Sequence, residues 1–122
     1  MNHTDPITNR IIKEYTFRRE ESFLKNTPSS KITAERKQAY NDALTQYHEA
    51  IRTESKYKDN KEYLYYRTVY VNEDNLYKEL LALVSQGNIK AAENIPIYLE
   101  RLSTARKNYN DCMRAIENIL NK

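Results

Sequence analysis

The scarcity of turn-forming residues constrains the fold of this chain more than any other sequence feature. Its 122 residues include one glycine, Gly87, and three prolines, Pro6, Pro28 and Pro96. Sheet-based folds need many tight turns, and tight turns depend on glycine and proline. Long helices joined by a few connections need neither residue in quantity. The composition therefore predicts an all-α fold.

Helix-start signals and apolar spacing define the first two helices. Asp5, followed directly by a proline, predicts a capped helix that ends near Asn26. Pro28 prevents this helix from continuing, and Ser30 or Thr33 is expected to cap the second one. The apolar positions of the second helix recur at steps of three and four residues. They are Tyr40, Ala43, Leu44, Tyr47, Ala50 and Ile51.

The third segment, residues 62–86, has an ambiguous beginning. Tyr63–Val71 is rich in tyrosine and β-branched residues, which favours a strand. No other stretch of the chain offers such a strand a partner, whereas in a helix the tyrosines and leucines of the segment share one face. We predict a helix, with a strand as one alternative. A fresh helix capped by Asn72 or Asp74, with a kink at that point, is another. Gly87 is suited to a left-handed cap at the end of the segment.

The last segment has the most regular apolar pattern. After a short turn of helix that begins at Ile89, Asn94 is expected to cap a long helix with Pro96 in its first turn. The apolar positions of this helix alternate between steps of three and four, as in a coiled coil. They are Ile95, Leu99, Leu102, Ala105, Tyr109, Cys112, Met113, Ile116, Ile119 and Leu120. The segments together predict an up-and-down antiparallel bundle of three to four helices, forming one domain over residues 1–122.

Charge and cysteine content indicate a soluble chain in a reducing compartment. The 20 basic and 17 acidic residues give a net charge of +3 and are interspersed. The single cysteine excludes a disulfide within the chain. We find no signal-peptide pattern and no apolar run near the ~20 residues that span a membrane. These features predict a cytoplasmic protein without membrane association. The high content of Asn, Lys, Tyr and Ile is typical of AT-rich genomes and indicates a low-GC bacterium, a phage or a plasmid as the source.

The sequence shows no arrangement of catalytic or metal-binding residues. Helical metal sites use a Glu-x-x-His pattern, but Thr45 lies three residues before His48. Cys112 lies on the apolar face of the last helix, a position typical of a small buried hydrophobe. With one glycine the chain cannot form a glycine-rich phosphate loop. We therefore predict a protein without enzymatic activity and without a cofactor.

Eleven tyrosines are the most unusual feature of the composition. Tyr65 and Tyr98 lie beside the predicted apolar faces, and with Arg67 and Arg101 they form a predicted interaction surface. This surface could bind a protein, because tyrosine is enriched at protein interfaces, and it could equally stack nucleic-acid bases. We interpret the chain as a protein–protein interaction module that binds another protein or itself, as an assembly subunit, adaptor, chaperone or inhibitor. Seven other tyrosines are expected to fill the core. They are Tyr40, Tyr47, Tyr63, Tyr66, Tyr70, Tyr77 and Tyr109.

Basic residues support an alternative interpretation, a small nucleic-acid-binding regulator. Clustered basic side chains on one face are the usual signature of such proteins. Here they lie at the start of the second helix and along the last helix, where acidic residues between them favour an ordinary solvated surface. The basic residues in question are Lys31, Arg36, Lys37, Arg106, Lys107 and Arg114.

Overall fold

The computed structural model describes residues 5–121, and none of these residues forms a β-strand. The chain is 86% helical, with α1 packed antiparallel to α2 and α3 packed antiparallel to α5, which confirms the predicted all-α, up-and-down class. The described residues form two compact units, 5–59 and 60–121, while the single domain stays a prediction. The helices are α1 (Pro6–Lys25), α2 (Ala34–Ser55), α3 (Lys61–Ser85), α4 (Ile89–Glu93) and α5 (Ile95–Leu120).

The first two helices begin at the predicted capping residues. The Asp5 carboxylate accepts a hydrogen bond of 2.9 Å from the backbone N–H of Thr8. The Thr33 hydroxyl accepts one of 3.1 Å from the N–H of Arg36, so Thr33 rather than Ser30 caps α2. Ser30 lies instead in a short 3-10 turn between the helices. Each cap pairs an N–H group that the first turn of a helix leaves without a partner.

Aromatic rings of α1 and α2 pack on one another, and small residues of α2 are buried beside them. The Phe17 ring lies 5.6 Å from the Tyr40 ring and 5.3 Å from the Tyr47 ring, measured between centroids. Ala43 and Ala50 are the buried residues of α2, and their small side chains allow the two helices to approach closely. Ile51, which the apolar pattern also assigned to this face, is exposed because it lies at the edge of the face.

Charged side chains also link α1 to α2. Arg10 of α1 donates hydrogen bonds to Glu54 of α2 and to Glu14, which raise the pKa of Arg10 above its ordinary value. The Tyr47 hydroxyl donates to the other oxygen of Glu14 at 3.1 Å. Because polar partners must match in position and not only in size, these contacts restrict how α1 aligns with α2.

The third segment is one continuous helix. α3 runs over Lys61–Ser85, so Tyr63–Val71 is helical and the strand alternative is wrong. Neither Asn72 nor Asp74 caps a fresh helix, because both residues lie inside the uninterrupted helix. Packing against α5 outweighs the local strand propensity here, since tertiary context overrides propensities of this size.

A cluster of tyrosines forms the centre of the α3·α5 pair. Tyr63 is fully buried, and its ring centroid lies 6.1 Å from that of Tyr109 on α5. Tyr70 lies about two helical turns further along α3. Its ring centroid is 5.3 Å from that of the same Tyr109. All seven tyrosines that were predicted to fill the core are buried or half-buried, as expected.

Gly87 ends α3 in a left-handed conformation, with a φ of 90°. Its N–H donates to the carbonyl oxygen of Val84 at 3.0 Å, and the N–H of Asn88 donates to Leu83 at 3.2 Å. These two bonds are the pattern of a Schellman motif, which pairs carbonyl groups at a helix C-terminus. The predicted glycine cap is therefore confirmed.

We expect Gly87→Ala to lower the free energy of unfolding by about 1–2 kcal/mol, because an L-residue adopts a left-handed backbone with strain. A Cβ atom at Gly87 would meet no atom within 4 Å, so steric overlap adds nothing to this loss. Urea denaturation of the two proteins measures the difference. Gly87→Asn is the matched control and should lose less, since asparagine tolerates this conformation better. Equal losses in both variants would contradict the interpretation.

α5 begins after the predicted residue, but the side chain of that residue does not cap the helix. Asn94 precedes the helix as expected, but its side chain makes no capping bond and its amide donates to the carbonyl of Lys90 at 3.4 Å. The reason is that Asn94 also ends α4, with helical φ and ψ of −91° and −4°. A capping side chain requires an extended backbone at its own residue.

The apolar face of α5 is narrower than the sequence pattern suggested. Leu102, Ala105, Tyr109 and Ile116 are buried, at steps of three, four and seven. The prediction was wrong for three residues at the ends or edges of the pattern, which are exposed: Leu99, Ile119 and Leu120.

Of the helices within residues 5–121, none combines the length and the apolar content that crossing a membrane requires.

Candidate functional site

An open groove of about 340 Å³ lies along one flank of the α3·α5 pair. Its α5 side includes positions 97, 101, 104 and 108, whose steps of four, three and four place them on one stripe of the helix. From Ile97 to Asn108 this stripe extends about 16 Å, at 1.5 Å per residue. The residues that line the groove are Val69, Glu73, Ile97, Glu100, Arg101, Thr104, Ala105 and Asn108.

An ion pair fixes one polar group of the groove. Arg101 donates a hydrogen bond of 2.9 Å from Nη2 to Oε1 of Glu73, and this bond and the attraction of the carboxylate raise the pKa of Arg101 above its ordinary value. The Arg101 guanidinium carbon also lies 5.4 Å from the centroid of the Tyr98 ring. These two contacts restrain the Arg101 side chain.

Glu100 is a second carboxylate of the groove and is left without a counter-ion. Its side chain forms no hydrogen bond or ion pair with any residue in the described range 5–121. Glu73, Glu100 and Arg101 together carry two negative charges and one positive charge. Because Glu73 already neutralises Arg101, the groove presents one free negative charge, that of Glu100.

Apolar side chains lie beside these charges. Ile97 is 56% exposed, although isoleucine is usually among the most buried residues. Half-buried Val69 of α3 and buried Ala105 of α5 line the same groove. On α3, Val69 belongs to a stripe at steps of four and seven that also includes Tyr65 and Leu76, both exposed. The apolar surface therefore extends beyond the groove along α3.

The structure brings together two of the four residues of the predicted interaction surface. Tyr98 and Arg101 meet at the groove. Tyr65 contacts Tyr66, with ring centroids 5.3 Å apart. Arg67 is half-buried and lies on another flank of α3 than Tyr65. Residues two positions apart are separated by about 200° around a helix. Arg101 pairs with Glu73, which lies eight residues, or about 12 Å, beyond Tyr65 on α3. The four residues thus do not form one cluster.

Arg36, one of the basic residues considered for nucleic-acid binding, is occupied by contacts within the α1·α2 pair. Its Nε lies 3.2 Å from Oε2 of Glu20, a residue that is only 6% exposed. Its guanidinium also covers the Phe23 ring, 3.8 Å from the centroid. Lys31 and Lys37, which flank it in sequence, are exposed.

The three basic residues considered on α5 also have partners. Arg106 donates a hydrogen bond to the Tyr70 hydroxyl at 3.3 Å. Lys107 and Arg114 both pair with Asp111, at 3.2 and 3.8 Å. One carboxylate thus offsets two positive charges, which weakens the positive field of this face.

Cys112 and His48 lie on different helices, α5 and α2. Cys112 is half-buried on α5, and its burial, together with the negative charge of Glu62, raises the pKa of its thiol. His48 is exposed on α2 with its ring 6.2 Å from that of Tyr47. No cluster of three or more metal-ligating side chains occurs within residues 5–121.

The raised pKa of Cys112 has a measurable result. At about pH 8, we expect iodoacetamide to alkylate Cys112 more slowly in the folded protein than in the urea-unfolded chain. A raised pKa leaves a smaller thiolate fraction at this pH, and the thiolate is the species that reacts. Mass spectrometry over a pH series should show the folded-state rate rising at higher pH than the unfolded-state rate. A folded-state profile that matches the unfolded one would contradict this expectation.

Sequence reasoning missed Glu73, Ile97 and Glu100 as site residues. The stripe at positions 97, 101, 104 and 108 was a usable signal, but it lies beside the stronger apolar face of the same helix.

A comparison with protein-family models, with characterised proteins and with solved structures finds no match to this chain.

Proposed function

We propose that the chain is a non-enzymatic protein-binding module and that the α3·α5 groove is its binding surface. The observation that carries the proposal is the exposure of Ile97, at 56%, within a groove that also contains Val69 and Ala105. Covering apolar surface is favourable by roughly 25 cal/mol per Å². Apolar patches with a polar rim are typical of protein interaction sites.

The polar rim of the groove supports the same function. Arg101 is held by Glu73 and by the Tyr98 ring. A side chain that is already ordered loses less conformational entropy when a partner binds than a free one does. Arginine and tyrosine are also the residue types that contribute most often to binding energy at protein interfaces. The groove thus combines an apolar centre with an arginine that already has two partners.

Ile97→Asp tests the proposal. Partners retained on the immobilised protein are identified, purified and titrated against each variant by calorimetry. We expect Ile97→Asp to weaken binding by at least about tenfold, because it places a charge where an apolar contact forms. Ile89→Asp is the matched control, since Ile89 is 78% exposed and lies outside the groove. Equal affinity of the wild type and Ile97→Asp for every purified partner would refute the groove as the binding surface.

The alternative function, nucleic-acid binding, receives less support. Of the six basic residues considered for it, Arg36, Arg106, Lys107 and Arg114 already contact an acidic or aromatic side chain. Phosphate contacts would have to compete with these interactions. If the protein nonetheless bound a labelled DNA duplex with an affinity that fell steeply with salt, the alternative would be preferred.

A further inference from the structure

We infer that the α3·α5 groove binds the outer face of α1 from a second copy of this chain, an inference that rests on the proposed function of the groove. We define the outer face as Ile11, Ile12, Tyr15 and Arg19. Ile11, Ile12 and Tyr15 are 49%, 43% and 69% exposed. Positions 11, 15 and 19 are four residues apart, so they form one stripe. It lies opposite Phe17, the residue of α1 that packs against α2.

The construction of the groove favours a helix as its ligand. The groove lies between two helices, whose backbone N–H groups are paired within each helix, so no free strand edge is available to an extended peptide. A ligand must bind through its side chains, as a third helix does when it packs against two antiparallel neighbours. The groove extends about 16 Å and the outer face of α1 about 12 Å from Ile11 to Arg19, at 1.5 Å per residue.

Charge supports the apolar outer face of α1 as the matching surface. Glu100 is the carboxylate of the groove without a counter-ion, and Arg19 is the outer-face residue without one within residues 5–121. Docking the outer face on the groove would place opposite charges together beside the apolar contacts of Ile97 and Tyr15. Such a charge pair contributes more to alignment and specificity than to affinity.

The same charges disfavour the pairing of two identical surfaces. Pairing two outer faces would place two positive Arg19 side chains in one interface, and pairing two grooves would place two negative Glu100 side chains in one interface. Like charges in contact oppose association. The remaining pairing joins the outer face of one copy to the groove of another, either in both directions within a two-fold dimer or in one direction only. In the one-directional case assembly continues beyond a dimer unless a ring closes.

A mixing experiment tests this arrangement. Ile97→Asp disables the groove and Tyr15→Asp disables the outer face, and both sites are exposed, so circular dichroism should show folded variants. In sedimentation equilibrium the wild type is expected to increase in mass with concentration, while each variant alone stays monomeric. An equimolar mixture of the two variants should form a 1:1 dimer, since each variant keeps one intact surface.

Charge reversal gives an independent readout. Arg19→Glu and Glu100→Arg should each weaken association by at least about tenfold, and the double variant should recover it because the opposite charges are restored. A wild type that is monomeric at every concentration, or a mixture that stays monomeric, would overturn the inference. The inference would also be overturned if Tyr15→Asp weakened self-association and Ile97→Asp did not. That result would mean that two copies pair through α1 alone. Each of these results leaves Ile97-dependent binding of a different protein intact, so failure of the inference differs from failure of the proposed function.

Discussion

Tyr109→Ala is expected to lower the free energy of unfolding by about 3–5 kcal/mol, the range for removing a large aromatic side chain from a core. Tyr109 is 5% exposed, and its ring contacts both Tyr63 and Tyr70 at centroid distances of 6.1 and 5.3 Å. Aromatic pairs of this geometry add about 0.5–1.5 kcal/mol each beyond the burial of their area. Because domains are stable by only about 5–15 kcal/mol, this loss is a large share of the total.

Tyr65→Ala is the matched control for Tyr109→Ala. Both variants remove a tyrosine ring from the α3·α5 pair, but Tyr65 is 64% exposed. We expect the control to change the free energy of unfolding by no more than about 0.5 kcal/mol, as is usual for surface substitutions. Urea denaturation followed by circular dichroism measures both. Similar losses for the two variants would mean that the tyrosine cluster does not stabilise the pair.

The helices themselves were accessible to sequence reasoning because their signals are local. Asp5 and Thr33 cap helices through bonds to residues three positions away, and Gly87 ends α3 through its own backbone conformation. Asn94 shows the limit of such reasoning. Its side chain fits a cap, but its backbone belongs to the end of α4 as well, and only the structure shows which requirement prevails.

The candidate site was less accessible because it depends on how α3 and α5 align. Tyr98 and Arg101 could be found from the sequence, since they are neighbours on one helix. Glu73, which holds Arg101, is 28 residues away in sequence. Which residue of α3 lies opposite Arg101 is decided by the packing of Tyr63 and Tyr70 on Tyr109. A pattern within one helix carries no information about that alignment.

Arg36→Met is expected to lower the free energy of unfolding by about 2 kcal/mol, because it removes the counter-ion of a buried carboxylate. Glu20 is 6% exposed, and its Oε2 faces Arg36 Nε at 3.2 Å without the alignment of a hydrogen bond. Losing one partner of a fully buried pair costs about 3–5 kcal/mol. The expected loss is smaller here since the Arg36 side chain is 38% exposed, and water that reaches its position can partly solvate the carboxylate.

The double variant Glu20→Met with Arg36→Met separates the cost of an unpaired charge from the cost of lost packing. Replacing both ions by apolar side chains of similar size is often neutral or stabilising, so the double variant should regain most of the stability that Arg36→Met loses. Lys37→Met is the control for adding a methionine near the start of α2, at an exposed site, and should change stability by no more than about 0.5 kcal/mol. If the double variant were as unstable as Arg36→Met, the loss would come from the contact of Arg36 with Phe23. The ion pair would then contribute little to the stability of the α1·α2 pair, and the contacts of Arg10 with Glu54 and of Tyr47 with Glu14 would remain as the ones that align its helices.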